Sequence, residues 1–254
     1  MKLATVTRPT PLRCLLASGS TPAVYRNYVA LTKAGAFAGD SGLGGKLVLA
    51  GALESASGVE LVTAANIAGA ASLVASSDAQ ALRQALRDGV ADFLVNSLEE
   101  ALRILKNEIR KRQAVSVAVS VSREHLIEEM VRRGVQPDLL PAEDSGAVGE
   151  ANPEAFVRAG ARLLVAEPDQ RSYVTWSVEQ AAAQWLPQLD ECARAVISAE
   201  DAARQRWLRL ATRYLGRPAQ RQHGVAMSAE ERGAFEARVS ELVSEAESGG
   251  ASLG

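Results

Sequence analysis

The sequence predicts a doubly wound α/β fold: a mostly parallel sheet between two layers of helices, followed by a C-terminal helical extension. Three observations carry this. Short apolar runs rich in Val, Leu and Ala recur across residues 45–166. Segments of helical length, roughly 10–15 residues, separate them. Capping residues open those segments, and glycines close several of them. Strands alternating with helices indicate βαβ units, and right-handed crossovers place helices on both faces of the sheet.

The elements follow in order. Residues 1–12 read as a loose arm, residues 21–34 as a helix, and residues 35–45 as a glycine-rich connection. Gly45-Lys46-Leu47-Val48-Leu49-Ala50-Gly51 is expected to be a buried strand, and residues 59–71 the helix after it. The turn between them is Ala52-Leu53-Glu54-Ser55-Ala56-Ser57-Gly58. Residues 72–76 make a short strand, and Asp78 caps a helix that Gly89 ends. Residues 90–95 are a strand, and Ser97 with Glu100 forms a capping box for a helix to about Arg112. Residues 114–120 are a strand, residues 123–133 a helix stopped by Gly134, and residues 137–140 the start of another strand. After a polar loop at 141–151, Asn152 and Pro153 open a short helix, and residues 161–166 supply a last strand.

Beyond Pro168 the pattern is helical, over residues 177–198 and 199–215, with no strand between. Ser228 and Glu231 cap a final helix to about Glu247. The organisation is then an arm and helix at 1–43, a doubly wound core at 44–168, a helical portion at 169–247 and a disordered tail at 248–254.

Composition bounds the function. At 254 residues and 47% hydrophobic the chain can bury a sizeable core. A net charge of −2 argues against broad nucleic-acid binding, and 4% aromatics argue against base stacking. No apolar run approaches the ~20 residues of a membrane span. Cys14 and Cys192 fit no metal or redox spacing and are expected as buried free thiols, which suits the cytoplasm.

Chemistry-bearing clusters are sparse. His125 and Glu129 share a helix face at i, i+4, and His223 falls in a loop; neither makes a metal or catalytic set. No catalytic residue and no metal site is assigned. Arg204, Arg206, Arg209, Arg213, Arg217 and Arg221 face only Asp201, beside an apolar stripe of Trp207, Leu210, Ala211 and Tyr214. That is an amphipathic helix with a solvated basic face, or a surface for a partner. The loops after the strands carry Glu54, Asp78, Glu143, Asp144, Glu150, Glu167 and Asp169 against Arg123 and Arg171. An acidic rim of this kind suits a small cationic ligand and repels an anionic one.

The core resembles urocanase, the urocanate hydratase family, over about residues 44–140. The residues that carry the resemblance are Gly45-Lys46 with Leu47-Val48-Leu49, Ala68-Gly69-Ala70 with Ser72-Leu73, and Ser97-Leu98-Glu99-Glu100-Ala101-Leu102. The best match is Val115-Ser116-Val117-Ala118 followed by Val131-Arg132-Arg133-Gly134-Val135-Gln136-Pro137-Asp138. A fainter similarity lies at Arg206-Trp207-Leu208 and Gly216-Arg217-Pro218-Ala219. The resemblance implies a Rossmann-like core that binds NAD, which in urocanase acts as an electrophile on urocanate.

The ligand positions of that family are replaced in four loops. Its glycine turn, G-L-G-G-M-G-G-A-Q, becomes residues 52–60, with Glu54, Ser55 and Ser57 in it and Gly58 retained. Its glutamate beyond the next strand becomes Ser76, its G-N-A becomes Val121-Ser122-Arg123, and its polar loop after Pro-Asp keeps only Ser145. Glu54, Ser55, Ser57, Gly58, Ser76, Ser122 and Ser145 are thus the positional equivalents of the cofactor site. The residues expected to hold the frame are Gly45, Gly69, Gly134, Pro137 and Asp138. The expectation is a non-catalytic relative with no cofactor, in a binding, assembly or regulatory role and self-associated or bound to a protein partner. Two other readings stand beside it. One is a lyase that keeps NAD in a rebuilt site, and the other an interaction module using the arginine-rich helix.

Overall fold

The computed structural model describes residues 5–6, 21–142, 154–165, 170–178, 184–220 and 222–250. In chain order the strands are β1 (Thr5–Val6), β2 (Leu47–Ala52), β3 (Ala71–Ala75), β4 (Phe93–Val95), β5 (Val115–Val119), β6 (Leu139–Pro141), β7 (Arg162–Leu164), β8 (Ser172–Ser177) and β9 (Gln222–Met227). The helices are α1 (Thr21–Ala34), α2 (Ala56–Ala68), α3 (Ala79–Arg87), α4 (Leu98–Lys111), α5 (Arg123–Arg132), α6 (Glu154–Arg158), α7 (Leu186–Val196), α8 (Ala202–Tyr214) and α9 (Ala229–Gly250). They form two compact units, Ala17–Glu167 and a second made of Met1–Leu16 with Pro168–Gly254.

The larger unit is a six-stranded sheet in the order β4-β5-β3-β2-β6-β7, parallel at every pairing. The doubly wound, Rossmann-like α/β fold expected from the sequence is present. Its order differs in one respect from the common dinucleotide-binding order, because the fourth strand of the unit, β5, inserts between the second and third. The chain reverses direction across the sheet at β2 and β6. The crevice beyond their carboxyl ends is where such sheets take ligands.

Burial explains the sheet. β2, β3 and β5 are buried along nearly their whole length, as continuous apolar runs covered on both faces must be. Leu47, Leu49, Leu73, Val117 and Val119 face α4, α5 and α6 through Leu98, Leu105, Leu126, Met130 and Phe156. Each such side chain contributes about 1.5–3 kcal/mol on burial. α2 is buried from Glu60 onward, its polar Glu60, Thr63 and Asn66 included, and α1, whose buried residues include Tyr25, Tyr28 and Leu31, packs against it. α1 therefore belongs to the compact unit rather than to a separate arm.

Gly45, Gly69, Gly134 and Asp138 of the expected frame take structural positions. Gly69 ends α2 with φ 90°, and its N–H reaches the carbonyls of Ala65 and Asn66. Gly45 and Gly134 also take positive φ, 94° and 65°. Asp138 fastens the amino ends of three strands. Its carboxylate accepts from Lys46 Nζ at 2.9 Å and from the Leu47 N–H at 2.8 Å. Its N–H donates to the Leu47 carbonyl, and its own carbonyl accepts from the Arg162 N–H. β2, β6 and β7 are thereby tied at the edge opposite the ligand crevice.

The smaller unit corrects the sequence reading. Residues 169–247 are not helical throughout: β8 and β9 pair antiparallel, and β1 adds to β8. The expected loose arm thus supplies a strand, and Ser177 lies in β8 rather than in a helix. α9 continues to Gly250, so residues 248–250 are helical rather than disordered. Residues 251–254, Cys14, Asn152 and Pro153 lie outside the described residues. Cys192 is a free, half-buried thiol.

Candidate functional site

β2 does not run straight into its turn. Its register with β3 shifts between Leu49 and Ala52, where three steps on β2 match two on β3. Gly51 takes φ 85° at this bulge, a conformation that favours glycine. The chain then turns through Leu53, whose N–H donates to the Ala75 carbonyl on β3. Ser55 caps α2, its Oγ accepting from the Gly58 N–H at 3.0 Å. α2 accordingly starts at Ala56, three residues earlier than the glycine position suggests. A Cβ on Gly58 lies 1.9 Å from the Ala52 carbonyl oxygen. This glycine is kept so that the helix can pack on the strand, the part played by the last glycine of a dinucleotide turn.

Glu54 neither caps α2 nor points idly to solvent. Its Oε1 accepts from the Ser76 hydroxyl, from the Ser77 N–H at 3.1 Å and, at 3.4 Å, from the Asp78 N–H. Ser76 is 1% exposed and also lies 3.3 Å from the Asp78 carbonyl. The first loop therefore delivers a carboxylate to the end of the second strand, over the amino end of α3. Burial pushes the Glu54 carboxyl up, but the Ser76 hydroxyl and the amides of Glu54, Asp78 and Ser77 favour its charged form more. The group is held below the usual carboxylate range.

The other expected positions fall as follows. Ser57 is exposed and donates to Ser55 Oγ at 3.2 Å. Ser122 caps α5, accepting from the His125 N–H at 3.2 Å. Ser145 lies outside the described residues, as do Glu143, Asp144, Glu150, Glu167 and Asp169 of the acidic rim. Of that rim, Asp78 is committed to the α3 amino end, accepting from the Gln80 N–H at 2.7 Å. Glu54 and Ser76 are thus brought together with the Ser77 and Asp78 amides. Their pairing had no sequence signal, whereas the bulge had one, since Gly51 interrupts an apolar strand run.

The arginine-rich helix is also corrected. Arg204 is 8% exposed and lies inside the fold rather than on a solvated face. Its guanidinium donates to Asp201 at 2.7 Å, to Glu231 through both terminal nitrogens at 2.7 and 2.8 Å, and to the Ala226 carbonyl. Burial opposes its charge, and the two carboxylates outweigh burial and hold it protonated. Trp207 and Ala211 are buried as the stripe predicts. Arg213 stands 5.6 Å over the Tyr214 ring.

Among the described residues no group of three or more His, Cys, Asp and Glu is arranged to hold a metal ion. No described helix is long and apolar enough to cross a membrane. Residues 24–145 match the family model described as the urocanase Rossmann-like domain.

Proposed function

Taking as premise that this chain is a relative of the urocanases through that domain, we propose that it uses the domain as a non-catalytic scaffold whose NAD site is closed. The observation that carries this is the seating of Glu54. A pyrophosphate at this turn needs free amides and close backbone approach. Here Ser55 takes the Gly58 amide of this turn, and Glu54 sets a carboxylate beside it, seated on Ser76 and the Ser77 amide at the end of the next strand. A second anion about 4 Å from this exposed carboxylate meets repulsion of about 1–4 kcal/mol, between the limits of bulk water and an effective dielectric near 20. Ser55 and Ser57 add side chains where the family has glycines.

The role is then binding, assembly or regulation. Self-association is the form of assembly favoured by Phe93 and Leu94, which stay exposed on the edge strand β4. A cytoplasmic setting accompanies this reading. The test is thermal unfolding of the full chain with millimolar NAD and, separately, with pyrophosphate. No rise in melting temperature is expected from either. A rise that saturates with NAD overturns the proposal.

One observation favours the alternative, an NAD-dependent lyase with a rebuilt site. In dinucleotide-binding sheets a carboxylate beyond the second strand takes a ribose hydroxyl, and Glu54 brings a carboxylate to that end of β3. The same titration separates the two, because only a working site is stabilised by NAD.

A further inference from the structure

In the smaller unit one imidazole stands between two acceptors. His223, on β9, is 11% exposed. Its Nδ1 lies 2.7 and 2.8 Å from the two Asp190 carboxylate oxygens, and its Nε2 lies 2.7 Å from the Ala219 carbonyl oxygen. A neutral imidazole carries one N–H, so it leaves a lone pair facing either the carboxylate or the carbonyl. The imidazolium donates from both nitrogens and satisfies both acceptors. Asp190 is itself buried on α7 and also accepts from Trp176 Nε1 on β8 at 2.9 Å. Four parts of the unit meet here: α7, β8, β9 and the Arg217–Gln220 turn.

We propose that these groups form a proton-operated latch. The His223 imidazolium ties the Arg217–Gln220 turn to α7, and loss of its proton frees the turn and the start of β9. This is a conformational device separate from the Glu54 site, and it does not rest on the function proposed above.

The surroundings leave Asp190 as the charge that acts on the ring among the described residues. From β8 the facing group is the Trp176 indole, which pairs with His223 in register. From α8, Trp207 donates to the Gly224 carbonyl, and Arg204 engages the far end of β9 at Ala226. From α9, Glu231 is paired to Arg204, and Phe235 packs on Trp176 with centroids 5.1 Å apart. Burial alone favours the neutral ring, but Asp190 and the Ala219 carbonyl outweigh it and raise the His223 pKa above the ordinary histidine value. The sign follows from linkage. The latch is fully closed below about pH 6.5 and opens as pH rises through the higher folded-state value.

The full chain has two histidines, so the test is well resolved. Ring ¹⁵N shifts of uniformly labelled protein are followed from pH 5 to 10, with H125Q to assign the two signals. Amide and indole hydrogen exchange is read in parallel. His223 is expected doubly protonated at pH 7. Exchange at Gln222–Gly224 and at the Trp176 indole, corrected for intrinsic base catalysis, rises through the His223 midpoint. The rise is about tenfold for each unit by which that midpoint exceeds 6.5. H223Q is expected to lose the step while keeping the fold. A neutral His223 at pH 7, a protonated His223 with flat exchange through its midpoint, or a step that survives in H223Q each overturns the latch.

Discussion

Replacing Glu54 by Ala tests whether its carboxylate fastens the fold or waits for a ligand. In the structure Glu54 Oε1 takes the Ser76 hydroxyl and two backbone amides. A hydrogen bond to a charged group contributes about 1.5–3 kcal/mol when well shielded. Glu54 is exposed, so solvent screening reduces this set to roughly 1 kcal/mol. Ser76, at 1% exposure, loses its carboxylate acceptor; as a donor it keeps the longer contact to the Asp78 carbonyl, and it still accepts from the Asp78 N–H at 3.0 Å. Together these give a loss of about 1–2 kcal/mol for Glu54→Ala, with Glu54→Gln intermediate because it keeps a neutral acceptor.

The assay is urea unfolding followed by circular dichroism at pH 7 and again in acid. The Glu54 pKa is depressed, so its contribution is present above about 4.5 and is lost as pH falls through the lower folded-state value. The gap between wild type and Glu54→Ala therefore closes in acid. A Glu54→Ala protein as stable as wild type at pH 7, or more stable, refutes the reasoning. Stabilisation on removal is the signature of a residue held for a site rather than for the fold.

Other perturbations separate local causes. Gly58→Ala forces a methyl to within 1.9 Å of a backbone carbonyl and is expected to cost about 3 kcal/mol or more in the same urea assay. Asp138→Ala strands the Leu47 N–H and is expected to lose about 2 kcal/mol, whereas Lys46→Ala, removing a half-exposed ion-pair partner, loses under about 1. Equal losses for the two contradict the assignment of Asp138 as a backbone fastener. Arg204→Ala strips Glu231 of its two-pronged partner and leaves Asp201 its longer Arg171 contact at 3.3 Å, and is expected to destabilise by roughly 3 kcal/mol, read by thermal unfolding. Light scattering across concentration is expected to show self-association, and a constant monomer mass contradicts the assembly role.

The parallel sheet was legible because each central strand is an apolar run bounded by local signals. Asp78, Ser97 and Ser228, the caps read from the sequence, do cap helices through their own side chains, because capping chemistry is local. Even there the partner differs in detail, since Glu100 returns to the Asn96 N–H rather than to Ser97. Ser55 and Ser122 cap as well, without having been read as caps. β8 is missed because Ser172-Tyr-Val-Thr-Trp-Ser177 runs into the helical pattern that the sequence reading starts at Ser177, although its aromatic and β-branched content suits a strand. β9 was lost for a different reason. Its Gln222-His-Gly start reads as a loop, and its identity comes from pairing with β8 some 50 residues away along the chain. Gly224 belongs to that pairing, because a Cβ there meets the Val174 carbonyl at 2.7 Å and the Tyr173 ring at 2.9 Å.

The candidate site was legible as a set of substitutions and not as an arrangement. Glu54 and Ser76 were both singled out, yet 22 residues separate them and only the parallel pairing of β2 with β3 brings them together. The likeness to the urocanases named the positions that had changed. It did not say that one substituted loop fills the other.

The most direct measurement is the content of the protein as purified. The full chain is denatured, the released small molecules are separated, and NAD is quantified by mass spectrometry against protein. The account, in which Ser55 occupies the Gly58 amide of the turn and Glu54 sets a carboxylate beside it, predicts no NAD above background. One NAD per chain contradicts it and makes the domain a working dinucleotide site.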